Sequence, residues 1–401
     1  MLIQFSVENF LSIKNTVTLS MLADTGKEHP ECIITGPKKE NYLKSSIIYG
    51  ANASGKSNVL NALWYMIHFV LNSHEMQLNR KTGRIPFKFD QESRNKPSCF
   101  EIIFVQDGVR YDYGFSTTED RVIDEYLYHY ANGRRAVIFE RFETDTYRFT
   151  ADADVQEGIK ERNSHNKLYL STAANWNYKK VKPVFQWFAD CEIMCRYSER
   201  NSYSQLSEQL QDIDYSRLLA GMLQVADLGI KELRVEAADA FSIQGTQPDF
   251  YNIQAVHQII NDQGLPELYT LEMPEESAGT ISYLKLMPTV KKVLDSGGLL
   301  VADEMDAHLH PLLTRHVIAL FNSSAYNPQN AQLIFTSHNT NLLDLDLFRR
   351  DQIWFTEKDE GTAETTLYSL DDFSVRKNAR IEQGYLLGRF GAVPVVKGGI
   401  T

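Results

Sequence analysis

The chain has 401 residues, 43% hydrophobic and 23% charged, which is the balance of a folded globular protein rather than a disordered one. That length exceeds what one simple core organises, so two lobes are expected. A formal net charge of −11 argues against a protein that coats nucleic acid over its whole surface and leaves only a local basic groove for such contact.

No run approaches the roughly 18 uninterrupted apolar residues of a transmembrane helix, so no membrane partner is expected. The opening Met1-Leu-Ile-Gln-Phe-Ser-Val-Glu reads as an alternating strand, without the basic start and apolar centre of a signal peptide. Cys32, Cys99, Cys191 and Cys195 are sparse. Cys191 and Cys195 form one C-x₃-C pair with no second pair nearby, which fits buried thiols better than zinc. These features together suggest the cytoplasm.

In chain order, 2–9 and 17–22 read as strands and 24–41 as a polar loop. Ile47 to Tyr49 is a buried strand, and Gly50 to Ser57 then fits G-x-x-x-x-G-K-[ST] without a mismatch. Residues 58–71 follow with Leu60, Leu63, Trp64, Ile67 and Leu71 at helical spacing. Strand, glycine loop and helix together define a phosphate loop. Its backbone N–H groups wrap an anion, and the positive end of the helix dipole points at the phosphates. The expected ATP-binding residues are Gly50, Asn52, Ala53, Ser54, Gly55, Lys56, Ser57 and Asn58. Lys56 would reach the β- and γ-phosphates, and the Ser57 hydroxyl would bind Mg²⁺. A glycine-rich turn before an ordinary helix is the alternative, disfavoured by the flanks.

Residues 85–150 change character. Five β-rich stretches, with Asp107-Gly108 and Asn132-Gly133 as hairpin signals, predict an antiparallel meander. Residues 151–240 turn helical, notably 184–189 and 206–225, without a sustained heptad. Residues 241–270 are mixed. From 277 onward strands and helices alternate (helix 281–295, strand 299–302, helix 309–322, strands 332–336 and 352–356), the pattern of a parallel sheet. The expected fold is α/β, with a mixed or parallel sheet split by the meander and a helical subdomain. The parts are 1–84, the first half of the ATPase lobe; 85–150, the meander; 151–275, a helical and mixed insertion; and 276–401, the second half.

That second half carries further candidates. Gly298 to Glu304 is an apolar strand ending in two carboxylates. Asp303 would hold Mg²⁺ through water, and Glu304 would polarise the attacking water. Alternatively the two acids cap the next helix. Asp306-x-His308-x-His310 reads either as a metal cluster on one face of extended chain or, preferably, as a turn into a helix with Pro311 in its first turn. Leu333 to His338 is an apolar strand ending in Ser-His, which puts His338 where open parallel sheets bind ligands, at a γ-phosphate; the alternative is a surface histidine. Glu276-Ser277-Ala-Gly279-Thr280 starts a helix, with Ser277 as N-cap and the helix end as a second anion site.

The order of phosphate loop, Ser-x-Gly helix start, Asp-Glu strand, Asp-containing turn and Ser-His strand resembles ABC-type ATPases of the soluble RecF/SMC/OLD branch. The opening Phe5-Ser-Val-Glu-Asn-Phe10-x-Ser12, the stretch Glu304-Met-Asp306-Ala-His-Leu-His310-Pro-Leu-Leu-Thr-Arg and the ending Gly384-Tyr-Leu-Leu-Gly-Arg389-Phe-Gly-Ala-Val-Pro394 look like abortive-infection ATPases of the RloA/AbiLi type. The resemblance covers both ends of the chain. It implies two copies sandwiching two ATP molecules with Mg²⁺, as a homodimer or a higher oligomer built from such dimers. Ser277 and Gly279 of one copy would bind the γ-phosphate held by the other. Asp306 would link the two sites, His338 would sense the γ-phosphate, and hydrolysis through Glu304, with Lys56 and His338 assisting, would release the pair. The signature here is Glu-Ser-Ala-Gly-Thr rather than Leu-Ser-Gly-Gly-Gln. Leu11 stands where relatives often have Arg, with Lys14 as a substitute, and neither Gln186 nor Asn175 is a strong lobe-linking residue, so slow hydrolysis fits.

The implied role is an ATP-dependent scaffold or sensor in anti-phage defence, in a toxin–antitoxin-like system. It would regulate an effector protein encoded nearby, a nuclease, with any nucleic-acid contact indirect. The alternative is a RecF-like repair ATPase that binds DNA itself, which the acidic charge weakens. A self-contained nuclease is disfavoured, because Asp344, Asp346, Asp371 and Asp372 are scattered loop acids. Arg389 and the compact apolar tail after it suit intramolecular packing, or docking on a partner.

Overall fold

The computed structural model describes residues 1–36, 40–195, 210, 212–225, 229–237, 251–307, 309–376 and 379–393. The chain divides into two compact units: Met1–Cys195 with Val293–Glu304 and Phe321–Thr401, and Arg196–Lys292 with Met305–Leu320.

The first unit begins with β1 (Leu2–Glu8) and β2 (Val17–Ser20). A small hairpin, β3 (Ile33–Thr35) and β4 (Asn41–Leu43), interrupts the stretch read as a loop. Then come β5 (Ser45–Tyr49), the glycine loop and the helix α1 (Lys56–Asn72). β6 (Ser98–Gln106), β7 (Val109–Thr117), β8 (Val122–His129), β9 (Ala136–Phe142) and β10 (Thr146–Phe149) run as an antiparallel meander. Short helices follow, up to β11 (Cys191–Met194).

The second unit contains β12 (Ile230–Ala237), β13 (Tyr251–Ile260) and β14 (Pro266–Glu272), an antiparallel sheet in that order. The helix Ile213–Val225 packs on β12, and the Ser216 hydroxyl donates to the Leu233 carbonyl at 2.8 Å. Residues 206–209 and 211 of the expected helix, and 241–250 of the mixed stretch, lie outside the described residues.

The first unit resumes with β15 (Leu299–Ala302), β16 (Gln332–Thr336), β17 (Ile353–Lys358) and β18 (Thr365–Ser369). These join β5 and β11 in a sheet of order β11-β15-β16-β5-β17-β18, parallel except for β18. β5, β15 and β16 are buried along their whole length, which is why they read as continuous apolar runs.

Two assignments need correcting. β1 and β2 do not belong to the sheet of the phosphate loop. β1 pairs antiparallel with β6, Phe5 opposite Ile102, and closes a seven-stranded sheet with the meander. Alternation identifies a strand but not its partner. The stretch 151–240, expected to be helical, also holds two strands: β11, an edge strand of the parallel sheet beside β15, and β12.

α1 is buried on nearly every side rather than along one stripe: Val59, Leu60, Ala62, Leu63, Tyr65, Met66, Ile67, Phe69 and Val70 are all covered. One apolar cluster joins them to Ile48, Val301 and Ile334 of the parallel sheet and to Phe5, Phe100, Ile102 and Phe115 of the antiparallel sheet. Each fully buried side chain of this size contributes about 1.5–3 kcal/mol, so the helix behind the glycine loop is held firmly. Polar ties reinforce the layers. The buried Gln332 amide accepts from the Leu2 N–H and donates to the carbonyls of Leu2 and Leu43, joining β16 to β1 and β4.

Candidate nucleotide site

β5 ends at Tyr49, and the chain turns through Gly50–Gly55 into α1. Asn52 and Ala53 are exposed, Ser54, Gly55 and Lys56 are buried, and Ser57 and Asn58 are half-buried in the first turn. The two glycines are sterically required. A Cβ on Gly50 would come within 2.5 Å of the Thr356 carbonyl, and one on Gly55, whose φ is +110°, would collide with the Thr365 side chain. Lys56 Nζ curls back over the loop and donates to the carbonyls of Gly50 (2.8 Å) and Ala51 (3.0 Å). The ammonium is thus fixed on the loop itself.

A chain of hydroxyls holds the loop from outside. Ser54 Oγ and Thr356 Oγ1 are 2.7 Å apart. Thr365 Oγ1 donates to the Ser54 carbonyl at 2.9 Å and lies 2.7 Å from Ser12 Oγ. Asn58 Nδ2 donates to Ser12 Oγ at 2.6 Å, so this amide faces the β1–β2 turn. Thr356 and Thr365 are supports with no signature in the sequence. They lie about 300 residues from the loop in sequence, and no local signal marks them.

The other candidates of the first unit meet at the ends of β15 and β16. Asp303 is half-buried, and its amide donates to the Met194 carbonyl at 2.8 Å, which gives β11 a role at the site. The buried Thr336 hydroxyl donates to Asp303 Oδ1 at 2.6 Å and accepts from the Glu304 amide at 2.7 Å. Glu304 is exposed with left-handed backbone (φ +48°), a conformation that costs a non-glycine residue about 1–3 kcal/mol unless its surroundings hold it. Thr336 supplies that hold. His338 Nε2 lies 3.5 Å from Glu304 Oε1. A threonine ending an apolar strand carries no signal of its own, so the sequence does not mark Thr336.

The sheet order places β16 directly between β5 and β15, so the strand leading to His338 separates the glycine loop from the carboxylate pair. Ser57 and Asp303 offer oxygen donors, the kind that suits Mg²⁺. Among the described residues no three His, Cys, Asp or Glu side chains gather as a metal cluster, so a cation here would complete its shell with phosphate oxygens and water. The residues fit a magnesium nucleotide in that sense.

Ser277, Gly279 and Asp306 belong to the second unit. Ser277 Oγ accepts from the Thr280 amide at 3.0 Å, the N-cap geometry for the helix Ala278–Ser296. The preceding Glu276 is bonded to His257 of β13. Asp306 is half-buried in the turn after β15, and its carbonyl accepts from the Leu309 amide. His308 lies outside the described residues, and His310 is exposed just before the helix Pro311–Asn322. Gln186 is exposed and bonded to Asp190 at 2.8 Å, Asn175 is exposed at a helix end, and Lys14 pairs with Asp90 at 3.6 Å.

A mixed α/β fold with a glycine loop between a buried parallel strand and a buried helix, and an acidic pair two strands away, defines a P-loop nucleotide-binding domain. Residues 45–344 match the family described as "AAA domain, putative AbiEii toxin, Type IV TA system", and the chain belongs to that family. Membership implies a nucleotide-binding ATPase, a class that generally uses ATP and Mg²⁺. No curated protein matches the chain. Among the described residues no helix is long and apolar enough to cross a membrane.

Proposed function

We propose that this protein is an ABC-type ATPase of the soluble RecF/SMC/OLD-like branch, in which ATP joins two copies and hydrolysis releases them. The observation that carries the proposal is the Thr336 hydroxyl bridging Asp303 and Glu304, with His338 beside Glu304 and the glycine loop one strand further on. In this reading the loop from Gly50 to Asn58 and Lys56 hold the triphosphate. Ser57 and Asp303 would hold Mg²⁺, which would supply positive charge against the charge that develops on the phosphate oxygens. Glu304 accepts a hydrogen bond from the attacking water, and His338 orients Glu304 toward the terminal phosphate. Ser277 and Gly279 of a second copy complete the site, and Asp306 couples the two. The family's description as part of a toxin–antitoxin system supports a role in anti-phage defence, with the ATP-bound dimer as scaffold or sensor for an effector such as a nuclease.

Light scattering tests the sandwich. Glu304→Gln with MgATP is expected to double in mass, and adding Ser277→Arg to that variant should return it to the mass of one chain. A Glu304→Gln protein that binds ATP without changing mass contradicts the proposal.

A further inference from the structure

A cleft of about 460 Å³ opens beside the glycine loop, on the β17 side. That volume lies within the range of small-ligand sites, roughly 300–1,000 Å³. One wall is the loop at Asn52 and Ala53. The facing wall is the end of β17 and the turn after it, and the rim is Ala392 and Val393. The C-terminal motif noted in the sequence therefore reaches this cleft through Ala392 and Val393.

Specific contacts bring it there. Phe355 of β17 stacks on Tyr385 (centroids 5.7 Å apart, planes 15° apart) and on Phe390 (5.9 Å, 14°). Tyr385 is also 6.1 Å from the ring of Tyr49, the residue before Gly50. The Tyr385 hydroxyl donates to the Ala392 carbonyl at 3.1 Å, and the Tyr368 hydroxyl donates to the Phe390 carbonyl at 2.8 Å. Gly391 has φ +67°, and a Cβ there would lie 2.6 Å from the Tyr368 hydroxyl and 2.8 Å from a Glu357 carboxylate oxygen. Only glycine lets the segment turn this closely against β17 and β18.

Charge decides which end of a nucleotide the cleft takes. Its lining includes Glu357, Asp359 and Glu360 against Lys358 alone, three negative charges to one positive. A triphosphate is repelled by such a wall, whereas the N-terminus of α1 and Lys56 attract it. A ribose and base are uncharged and carry O–H and N–H donors that carboxylates accept. Asp359 is occupied in shaping the turn, accepting from the amides of Gly361 and Thr362. Glu357, on the strand itself, has one carboxylate oxygen 3.3 Å from the Tyr368 hydroxyl, which steadies the group and leaves the other oxygen to meet the ligand.

We infer that this cleft receives the nucleoside end of ATP, with Glu357 as a ribose- or base-binding group and Gly391–Val393 as the wall that closes it. The inference rests on the nucleotide-binding reading above and gives the C-terminal motif a part in substrate selection.

The test uses calorimetric titration of the full chain with two probes, MgATP and magnesium tripolyphosphate. Wild type should prefer ATP. Val393→Trp, which fills the cleft, and Glu357→Ala should each weaken ATP about tenfold while tripolyphosphate stays within about twofold. Glu357 is exposed, so its variant keeps the test decisive if Val393→Trp does not fold. Lys56→Ala should lose both probes. ATP affinity unchanged in the cleft variants, or equal losses for the two probes, overturns the inference while leaving the phosphate site standing. A wild type that binds neither probe overturns the nucleotide reading and this inference together.

Discussion

Thr336→Val isolates the hydroxyl that ties the Asp303 carboxylate and the Glu304 amide to β16. Valine keeps the β-branch and nearly the same volume in a fully buried strand position, so packing is preserved. It removes the 2.6 Å bond to Asp303 and the 2.7 Å bond from the Glu304 amide. An unsatisfied buried partner costs about 1–3 kcal/mol; Asp303 is only half-buried and recovers part of that from water, so a net loss of about 2 kcal/mol is expected. In a unit of this size that lowers the melting temperature by about 3 °C. Glu304 also loses the anchor for its left-handed backbone and drifts from its working position. A rise of about 1.4–2.7 kcal/mol in the barrier lowers kcat roughly 10- to 100-fold. The KM for ATP should change less than about threefold, because the glycine loop is untouched. Phosphate release and thermal melting read the two effects separately. Thr336→Ser restores the hydroxyl and should recover most of kcat. A Thr336→Val enzyme with wild-type kcat, or a serine variant no better than valine, would refute the reasoning.

Two further expectations follow from the structure. Gly55→Ala pushes a methyl into Thr365 at φ +110° and should destabilise the fold by about 1–3 kcal/mol, seen as a lower melting temperature and weaker ATP binding. Burial pushes the Cys32 thiol up to about 12 and the Cys99 thiol up to about 11, well above the ordinary value of 9.0. At pH 8 a thiolate-selective reagent should leave both unlabelled in the native protein and label both in denaturant, because the thiolate is the reacting form. The unfolded chain releases these protons near pH 9 while the folded chain keeps them, so stability should fall as pH rises above 9. Rapid native labelling would contradict the full burial of Cys32 and the raised thiol of the half-buried Cys99.

The parts of the site legible in the sequence are those whose chemistry is written locally. The glycine loop declares itself by spacing, and β15 and β16 by apolar runs that stop at Asp303-Glu304 and Ser337-His338. What stayed hidden is the long-range pairing. β1 was recognisable as a strand, yet its partner β6 begins at Ser98, and alternation says nothing of which sheet it joins. Cys191-Glu-Ile-Met is too short to separate from the helix before it, so β11 was lost in a helical stretch. The hydroxyls of Ser12, Thr356 and Thr365 converge on the loop from distant segments, and each alone is an ordinary polar residue. α1 shows a stripe in sequence but is buried on nearly every side, because both sheets and the helices Tyr169–Asn175 and Lys182–Ala189 pack around it.

The most direct measurement is inorganic phosphate released from MgATP by the purified full chain, compared with Lys56→Ala and Glu304→Gln. The account predicts steady turnover by the wild type, no ATP binding by Lys56→Ala, and tight binding without turnover by Glu304→Gln. Undiminished phosphate release from either variant would contradict it.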